Sequence, residues 1–434
     1  MGKISKVIEK LYAQYTQYPY ISTDSRNIMP NSIFFALQGQ HFDGNAFAAQ
    51  ALSQGAVYSV IDNKQYQQDE RYILVDDVLT ALQELAHMHR QQLKIPIIAI
   101  TGSNGKTTTK ELLHRVLSQQ YQVYATQGNL NNHLGVPLSL LAIGQADEMA
   151  IIEMGANHQG EIAKLCQIAR PTHGLITNLG HAHLKGFGGF EGVVLGKGEL
   201  YDSLYMHHGQ VFINATSARL IELGKRFKEP IYYPQQQAGH VCELLKADPY
   251  VVYKHNKGSI ITTQLLGKHQ FENIAAALCV GQYFGIDAHN ANQAIQSYKP
   301  ANNRSQVLYK GTNTILLDAY NASPESMQEA IQALQLIRAS HKVLILGDMN
   351  ELGQESAYWH EKLVKLTTQY NDQEVILHGP NMEAALKHNS QALYFSQKKD
   401  LATYLQQRSF KDTAILIKGS RSLELETLLT AIRA

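Results

Sequence analysis

The apolar run Ile97-Ile98-Ala99-Ile100 opens onto Thr101-Gly102-Ser103-Asn104-Gly105-Lys106-Thr107-Thr108-Thr109. Such a run reads as a buried strand. Two glycines break it, and a helix follows with Leu112, Leu113, Val116 and Leu117 on one face. A strand, a glycine-containing turn and a helix together let backbone N–H groups and a helix N-terminus surround phosphates. On this pattern Gly102, Ser103, Asn104, Gly105 and Thr108 belong to the nucleotide cradle. Lys106 reaches the β- and γ-phosphates, and the Thr107 hydroxyl faces Mg²⁺. The usual phosphate loop carries another glycine where Ile100 stands, so this is the shorter Thr-Gly-x-x-Gly-Lys-Thr form.

Other polar residues fall where such a loop needs company. Met149-Ala150-Ile151-Ile152 reads as a strand ending in Glu153, and His173 to Asn178 as one ending in Gly180-His181-Ala182-His183. In open α/β sheets ligands lie beyond the carboxyl ends of strands, which makes Glu153 and His183 candidate ion ligands beside the loop. Asn129, Asn131, Asn132 and His133 crowd one turn with hydrogen-bond donors, more than a helix start needs. His269 and Asn273 are four apart and share a helix face. Ser25 and Arg26 suit an anionic ligand, although a solvated turn fits them as well. Lys197, on a helix from Glu191 to Tyr201, is by its spacing an ordinary solvated lysine. His181 is assigned no role.

The elements that must hold these residues divide the chain into three units. Its 434 residues are enough for two to four domains. With 44% apolar and 17% charged residues the composition is that of a soluble, core-forming chain. Thirty-eight lysines and arginines against 37 acidic residues argue against nucleic acid or an anionic membrane surface as partner. No apolar run is long enough to cross a bilayer, and the N-terminal residues lack a signal-peptide core. Three dispersed cysteines, Cys166, Cys242 and Cys279, match no metal spacing and suggest a reducing compartment, so the cytoplasm is expected.

The first unit, 1–92, contains strands at Ser32–Leu37 and Val57–Ile61 and closes with a helix over 78–92. The second, 93–302, holds the phosphate loop and ends in less regular short strands over 230–265 before an Ala-rich helix around Ile274–Val280. The third, 303–434, has strands at Thr314–Leu317, Lys342–Leu346, Val375–His378 and Ala414–Ile417. Ser323 and Pro324 start a helix there, with Met327, Ala330, Ile331, Leu334 and Ile337 as its core stripe. Alternating strands and helices predict an α/β fold with mostly parallel, doubly wound sheets.

Several ordered segments together resemble the Mur ligase family. They are Thr-Gly-Ser-Asn-Gly-Lys-Thr-Thr-Thr-Lys at 101–110, Gly-Asn-Leu-Asn-Asn-His-Leu-Gly-Val-Pro at 128–137 and Glu-Met-Gly-Ala-Asn-His at 153–158. Ile-Thr-Asn-Leu-Gly-His-Ala-His-Leu at 176–184 and Asp-Ala-Tyr-Asn-Ala-Ser-Pro at 318–324 extend the likeness. Gly-Asp-Met-Asn-Glu-Leu-Gly at 347–353 and Lys-Gly-Ser-Arg at 418–421 complete it. The resemblance spans essentially the whole chain. It implies the three-domain architecture of that family: an N-terminal UDP-substrate domain, a central P-loop domain with a parallel sheet, and a C-terminal Rossmann-like domain.

The second and third segments are most similar to the type of that family that joins D-alanyl-D-alanine to UDP-N-acetylmuramoyl-tripeptide. The implied activity is therefore an ATP-dependent amide ligation in peptidoglycan precursor synthesis, by a monomer. Lys106 and Thr107 would hold ATP and a first Mg²⁺ with Glu153, and His183 would bind a second Mg²⁺. Lys197 aligns with a lysine that relatives carry as a carbamate, an anionic oxygen ligand. His269 and Asn273 would lie on the adenine side, and Arg304, Asp318 and Asn321 would reach the nucleotide from the third domain. Ser25, Arg26 and the Asp43-Gly44 turn look like the uridine diphosphate site, and Asn131, Asn132 and His133 would meet the muramyl or pyrophosphate part. Asn31 departs from the family, which usually has glycine there. Three alternatives remain: a sister ligase adding a single amino acid, a nucleotide-binding scaffold that has lost catalysis, and a folylpolyglutamate synthetase, which leaves the first unit unexplained.

Overall fold

A computed structural model of the chain describes residues 5–236, 239–301, 303–370 and 373–433. The apolar runs become strands of three main sheets, one in each unit. The N-terminal sheet is wholly parallel, in the order Tyr20–Ser22, Ser32–Phe35, Tyr58–Ile61, Tyr72–Leu74. Helices Lys6–Gln17, Ala48–Ser53 and Val78–Gln92 accompany it. Asn31, just before the second strand, has φ +61°, a left-handed backbone that glycine adopts freely and asparagine tolerates better than most residues.

The central sheet has six parallel strands. Their order is Ile231–Tyr233, Gln210–Asn214, His173–Ile176, Ile97–Thr101, Met149–Glu153, Val123–Ala125. The loop strand therefore runs between the strands that deliver Glu153 and His183. Its register sets Ile100 opposite Glu153 and Thr101 opposite Ile176. All five of its residues are buried, as expected of a parallel strand covered on both faces. Three antiparallel strands, Cys242–Ala247, Tyr250–His255 and Ile260–Leu266, form a separate sheet within the stretch read as irregular.

The C-terminal sheet runs Gln306–Lys310, Asn313–Asp318, Thr413–Lys418, His341–Gly347, Gln373–His378, Leu393–Phe395. Only its first pair is antiparallel. Helix Pro324–Gln335 begins at Ser323, which forms a capping box with Ser326, and buries Met327, Ala330, Ile331 and Leu334.

Most expected boundaries shift by a few residues. The strand read as His173 to Asn178 stops at Ile176, because Thr177 and Asn178 turn to hold the phosphate loop. The helix expected over 191–201 runs Phe190–Met206, and the Ala-rich helix runs Gln270–Tyr283. All three cysteines are buried, and burial pushes the Cys166 thiol up to about 12. Among the described residues no helix is long and apolar enough to cross a membrane.

Candidate active site

Gly105 (φ +77°) sits at the N-cap of helix Lys106–Leu117, where the chain turns from loop to helix. The Lys106 ammonium folds back over the loop, donating to the carbonyls of Gly102 (2.8 Å) and Ser103 (3.2 Å). Burial lowers its pKa to about 8, opposed by the Glu153 charge and reinforced by Arg304. Asn104 is gripped from several sides. Its N–H donates to Asn178 Oδ1 (2.9 Å), and its carbonyl accepts from Thr177 Oγ1 (2.6 Å) and Asn178 Nδ2 (3.1 Å). Its side-chain Oδ1 accepts from Ser323 Oγ (3.0 Å) of the C-terminal unit.

Glu153 is 1% exposed and well partnered. Thr107 Oγ1 donates to its Oε2 (2.9 Å), Asn131 Nδ2 donates to its Oε1 (2.8 Å), and the Lys110 ammonium stands 4.0 Å from Oε2. Lys110 itself is buried and donates to the Thr126 carbonyl at 2.7 Å. A hydroxyl and a carboxylate touching beside a phosphate loop are the hard oxygen donors that suit Mg²⁺. Asn131 thus holds the Glu153 carboxylate while its side chain also lines the cavity. Asn132 Oδ1 accepts from the N–H groups of Leu134 (3.1 Å) and Gly135 (2.9 Å), and the His133 carbonyl accepts from Gln83 (3.0 Å).

A cavity of about 610 Å³ opens from the loop toward the C-terminal unit. Ser103, Asn104, Gly105, Lys106, Thr108, Asn131, Asn132, His133, Glu153, His183, His269, Asn273, Arg304, Asp318 and Asn321 all contribute to its wall. On the far side the Arg304 guanidinium stacks over the Tyr320 ring at 3.7 Å. Asp318 accepts from the Ser305 N–H (2.9 Å) and from Lys418 Nζ (2.5 Å), and Lys418 also donates to the Asn321 carbonyl (3.0 Å). Burial pushes His269 down to about 4. Asn273 faces inward: its Oδ1 accepts from Thr109 Oγ1 (3.0 Å), and its Nδ2 donates to Gln270 Oε1 (2.9 Å).

The segment after the His173–Ile176 strand reaches across to the C-terminal unit. The His181 N–H donates to both Glu325 oxygens (3.1 and 3.2 Å), and its ring pairs with the same carboxylate. That ring lies 4.9 Å from Phe190 and 4.7 Å from Trp359. His183 (φ +58°) turns Nδ1 toward the Glu351 carboxylate, and Glu351 O accepts from the Lys185 N–H (3.0 Å). Among the described residues no three His, Cys, Asp or Glu side chains cluster as a metal site.

Lys197 corrects the reading from spacing. It is 2% exposed, donates to the Ala156 carbonyl (3.1 Å) and lies 5.0 Å above the Phe187 ring. Burial, with the nearby Lys106 charge, holds its pKa well below the usual lysine range.

Ser25, Arg26, Asp43 and Gly44 are not brought to this cavity. Arg26 binds Asp24 (2.9 and 2.7 Å) in an exposed turn. Asp43 Oδ1 caps the short helix at Gly44–Phe47, accepting from the N–H (2.9 Å) and Nδ2 (2.7 Å) of Asn45.

Lys110, Lys418, Glu329 and Glu351 reach the site without having been singled out. Lys110 lies one helical turn beyond Lys106, and Lys418 and Glu351 fall inside quoted segments, which was the available signal. Glu329, a polar residue beside an ordinary core stripe, gave none.

The segments and geometry match known proteins along the whole chain. Residues 17–90 match the model described as Mur ligase family, catalytic domain. Residues 100–281 match the Mur ligase middle domain, and 303–421 the Mur ligase, glutamate ligase domain. The chain belongs to the Mur ligase family. Within that family it is similar to the UDP-N-acetylmuramoyl-tripeptide--D-alanyl-D-alanine ligase of Bacillus subtilis, 34% identical over 94% of this chain and 92% of the relative. The ligase of that name from Escherichia coli is 32% identical over 95% and 93%. Among solved structures it resembles MurF of Acinetobacter baumannii (TM-score 0.84, 30% identity, 95% and 92% covered). It also resembles the MurF ligase of Thermotoga maritima in complex with ADP (TM-score 0.84, 26% identity, 99% and 98% covered).

Proposed function

We propose that this chain is an ATP-dependent ligase that adds D-alanyl-D-alanine to UDP-N-acetylmuramoyl-tripeptide, yielding the pentapeptide, ADP and phosphate for peptidoglycan synthesis. The observation that carries this reading is the Thr107–Glu153 pair beside the phosphate loop, facing Arg304 and Lys418 across one cavity. A carboxylate cannot lose oxide to an incoming amine in water. Moving the γ-phosphoryl group of ATP onto the substrate carboxylate gives an acyl phosphate, whose leaving group is phosphate. The amine of the dipeptide attacks that carbonyl carbon, its N–H proton passes to a base, and the tetrahedral oxyanion collapses with release of phosphate.

Phosphoryl transfer asks for positioning and charge neutralisation rather than covalent help. Lys106 and the loop N–H groups hold the phosphates, and Arg304 offsets charge from the opposite wall. Thr107 and Glu153 would hold one Mg²⁺; His183 and a carbamate formed on Lys197 would hold a second. Mg²⁺ held by these residues would supply positive charge to offset that of the phosphates. The low proton affinity of buried Lys197 supports the modification, since the free amine is the form that adds carbon dioxide.

The N-terminal unit, 1–92, takes the UDP-substrate through Ser25, Arg26 and the Asp43-Gly44 turn, with Asn131, Asn132 and His133 at the muramyl or pyrophosphate part. The unit 93–302 binds ATP, 303–434 closes the site, and the chain works as a cytoplasmic monomer. Phosphate release that requires both UDP-N-acetylmuramoyl-tripeptide and D-alanyl-D-alanine tests the activity; release with a single amino acid in place of the dipeptide would refute it. For the carbamate, a folded Lys197→Ala chain should be inactive and regain activity with short carboxylic acids. Absence of rescue would count against it.

A further inference from the structure

One end of the cavity differs from the phosphate end. Leu266, Leu316, Ala330 and Ala333 give it an apolar lining, and His269 and Glu329 supply its polar groups. The two units meet closely here: a Cβ placed on Gly267, in the turn before His269, would lie 3.5 Å from the Ala333 Cβ. A slot with small apolar walls and a polar edge fits a planar heterocycle, and the loop at the other end fits the phosphates attached to it.

Asn273, on the same wall, already holds Thr109 and Gln270 with its amide, whereas Glu329 has no such partner among the described residues. Glu329 makes no hydrogen bond among the described residues; the His269 ring is its nearest polar neighbour, with Nδ1 3.9 Å from Oε2. We infer that Glu329 is a specificity-determining residue for the nucleotide, its carboxyl pairing with the 6-amino group and N7 of adenine. This rests on the ATP-dependent reading above.

The protonation state supports the pairing. Burial, with Glu325, Glu272 and Asp318 nearby and only Lys418 opposing, pushes Glu329 up to about 8. At neutral pH the carboxyl then offers one O–H donor and one acceptor oxygen, the complement of an amino group beside a ring nitrogen. His269, pushed down to about 4, is neutral and does not draw the proton away as a charged partner would. A 6-oxo purine sets two acceptors, O6 and N7, against the same edge, so one contact is lost and the other group left unpaired.

Titration calorimetry with ADP and IDP tests this on the full chain. The unaltered chain should prefer ADP by about tenfold or more, the scale of one buried polar pairing. E329A should weaken ADP by about tenfold and leave IDP nearly unchanged, closing the gap. E329Q keeps a donor and an acceptor and should keep the preference, which separates base reading from a purely structural effect. An ADP/IDP ratio near one in the unaltered chain, or an unchanged ratio in E329A, would overturn the role of Glu329 while leaving the ligase reading intact. Failure of the unaltered chain to bind ADP at all would overturn the nucleotide-site reading and this inference with it.

Discussion

Gly105 and Asn273 meet so closely that their substitutions should not add. A Cβ on Gly105 would lie 2.6 Å from Asn273 Oδ1, and the residue has φ +77°. Gly105→Ala therefore meets two costs. The left-handed backbone disfavours a side chain by about 1–2 kcal/mol. The displaced amide would also lose its bonds to Thr109 and Gln270, at 3.0 and 2.9 Å. Two buried neutral hydrogen bonds contribute about 1–3 kcal/mol together.

The single variant should thus lose about 2–5 kcal/mol. Asn273→Ala alone loses about 1–3 kcal/mol, since it removes the same two bonds. In that background the glycine site has room, and Gly105→Ala costs only the backbone strain. The double variant should fall about 1–3 kcal/mol short of the sum, a coupling large enough for a double-mutant cycle to resolve. Scanning calorimetry of the four proteins gives the measurement, read on the transition that added ADP raises, because that one reports the unit carrying the loop. One kcal/mol corresponds to about 2–4 °C for a unit of that size. Strict additivity of the melting shifts would refute the steric argument.

Lys106→Ala should lower kcat at least about a hundredfold while the fold persists, as loss of a preorganised charge at a phosphoryl group does; steady-state phosphate release checks it. Glu325→Ala removes the acceptor for the His181 N–H and should raise the KM for ATP about threefold to tenfold with kcat little changed, if that contact helps to close the C-terminal unit on the loop. An unaltered KM would assign the contact to stability alone. Burial against Phe212, Tyr283 and Phe284 pushes His173 down to about 4. The unfolded chain takes up this proton near pH 6.5 and the folded chain does not, so stability falls as pH drops from about 6.5 to 4, by up to about 3 kcal/mol. His173→Phe should flatten that part of the stability–pH curve in urea titrations, and an unchanged slope would place the titration elsewhere.

The fold was legible because parallel strands buried on both faces write themselves as apolar runs, and because ligands gather beyond their carboxyl ends. Ile97–Thr101 and Met149–Glu153 were readable for that reason, and so was the placement of Glu153 beside the loop. Strand ends were less so. Thr177 and Asn178 continue an apolar run in sequence, yet their side chains are drawn out of the ladder by Asn104. Lys197 shows the limit of one-dimensional reading: whether a helical lysine is solvated depends on what covers it, here Phe187 and the Ala156 carbonyl from other elements. The pairs His181–Glu325 and His183–Glu351 join residues more than a hundred positions apart, and local spacing holds no trace of them. Glu329 was invisible for a related reason. Its neighbours on the helix are core residues, and its significance comes only from the wall of the second unit opposite.

The burial of Cys166, Cys242 and Cys279 has a use at the bench. A thiol held above its usual pKa and shielded from solvent reacts slowly with maleimides. Single cysteines placed at the exposed Lys64 and Lys399, on the N-terminal and C-terminal units, would then be the fast-reacting positions of an otherwise silent chain. A donor and acceptor dye attached there would turn any approach of the outer units during nucleotide turnover into a distance trace, without first stripping the native thiols.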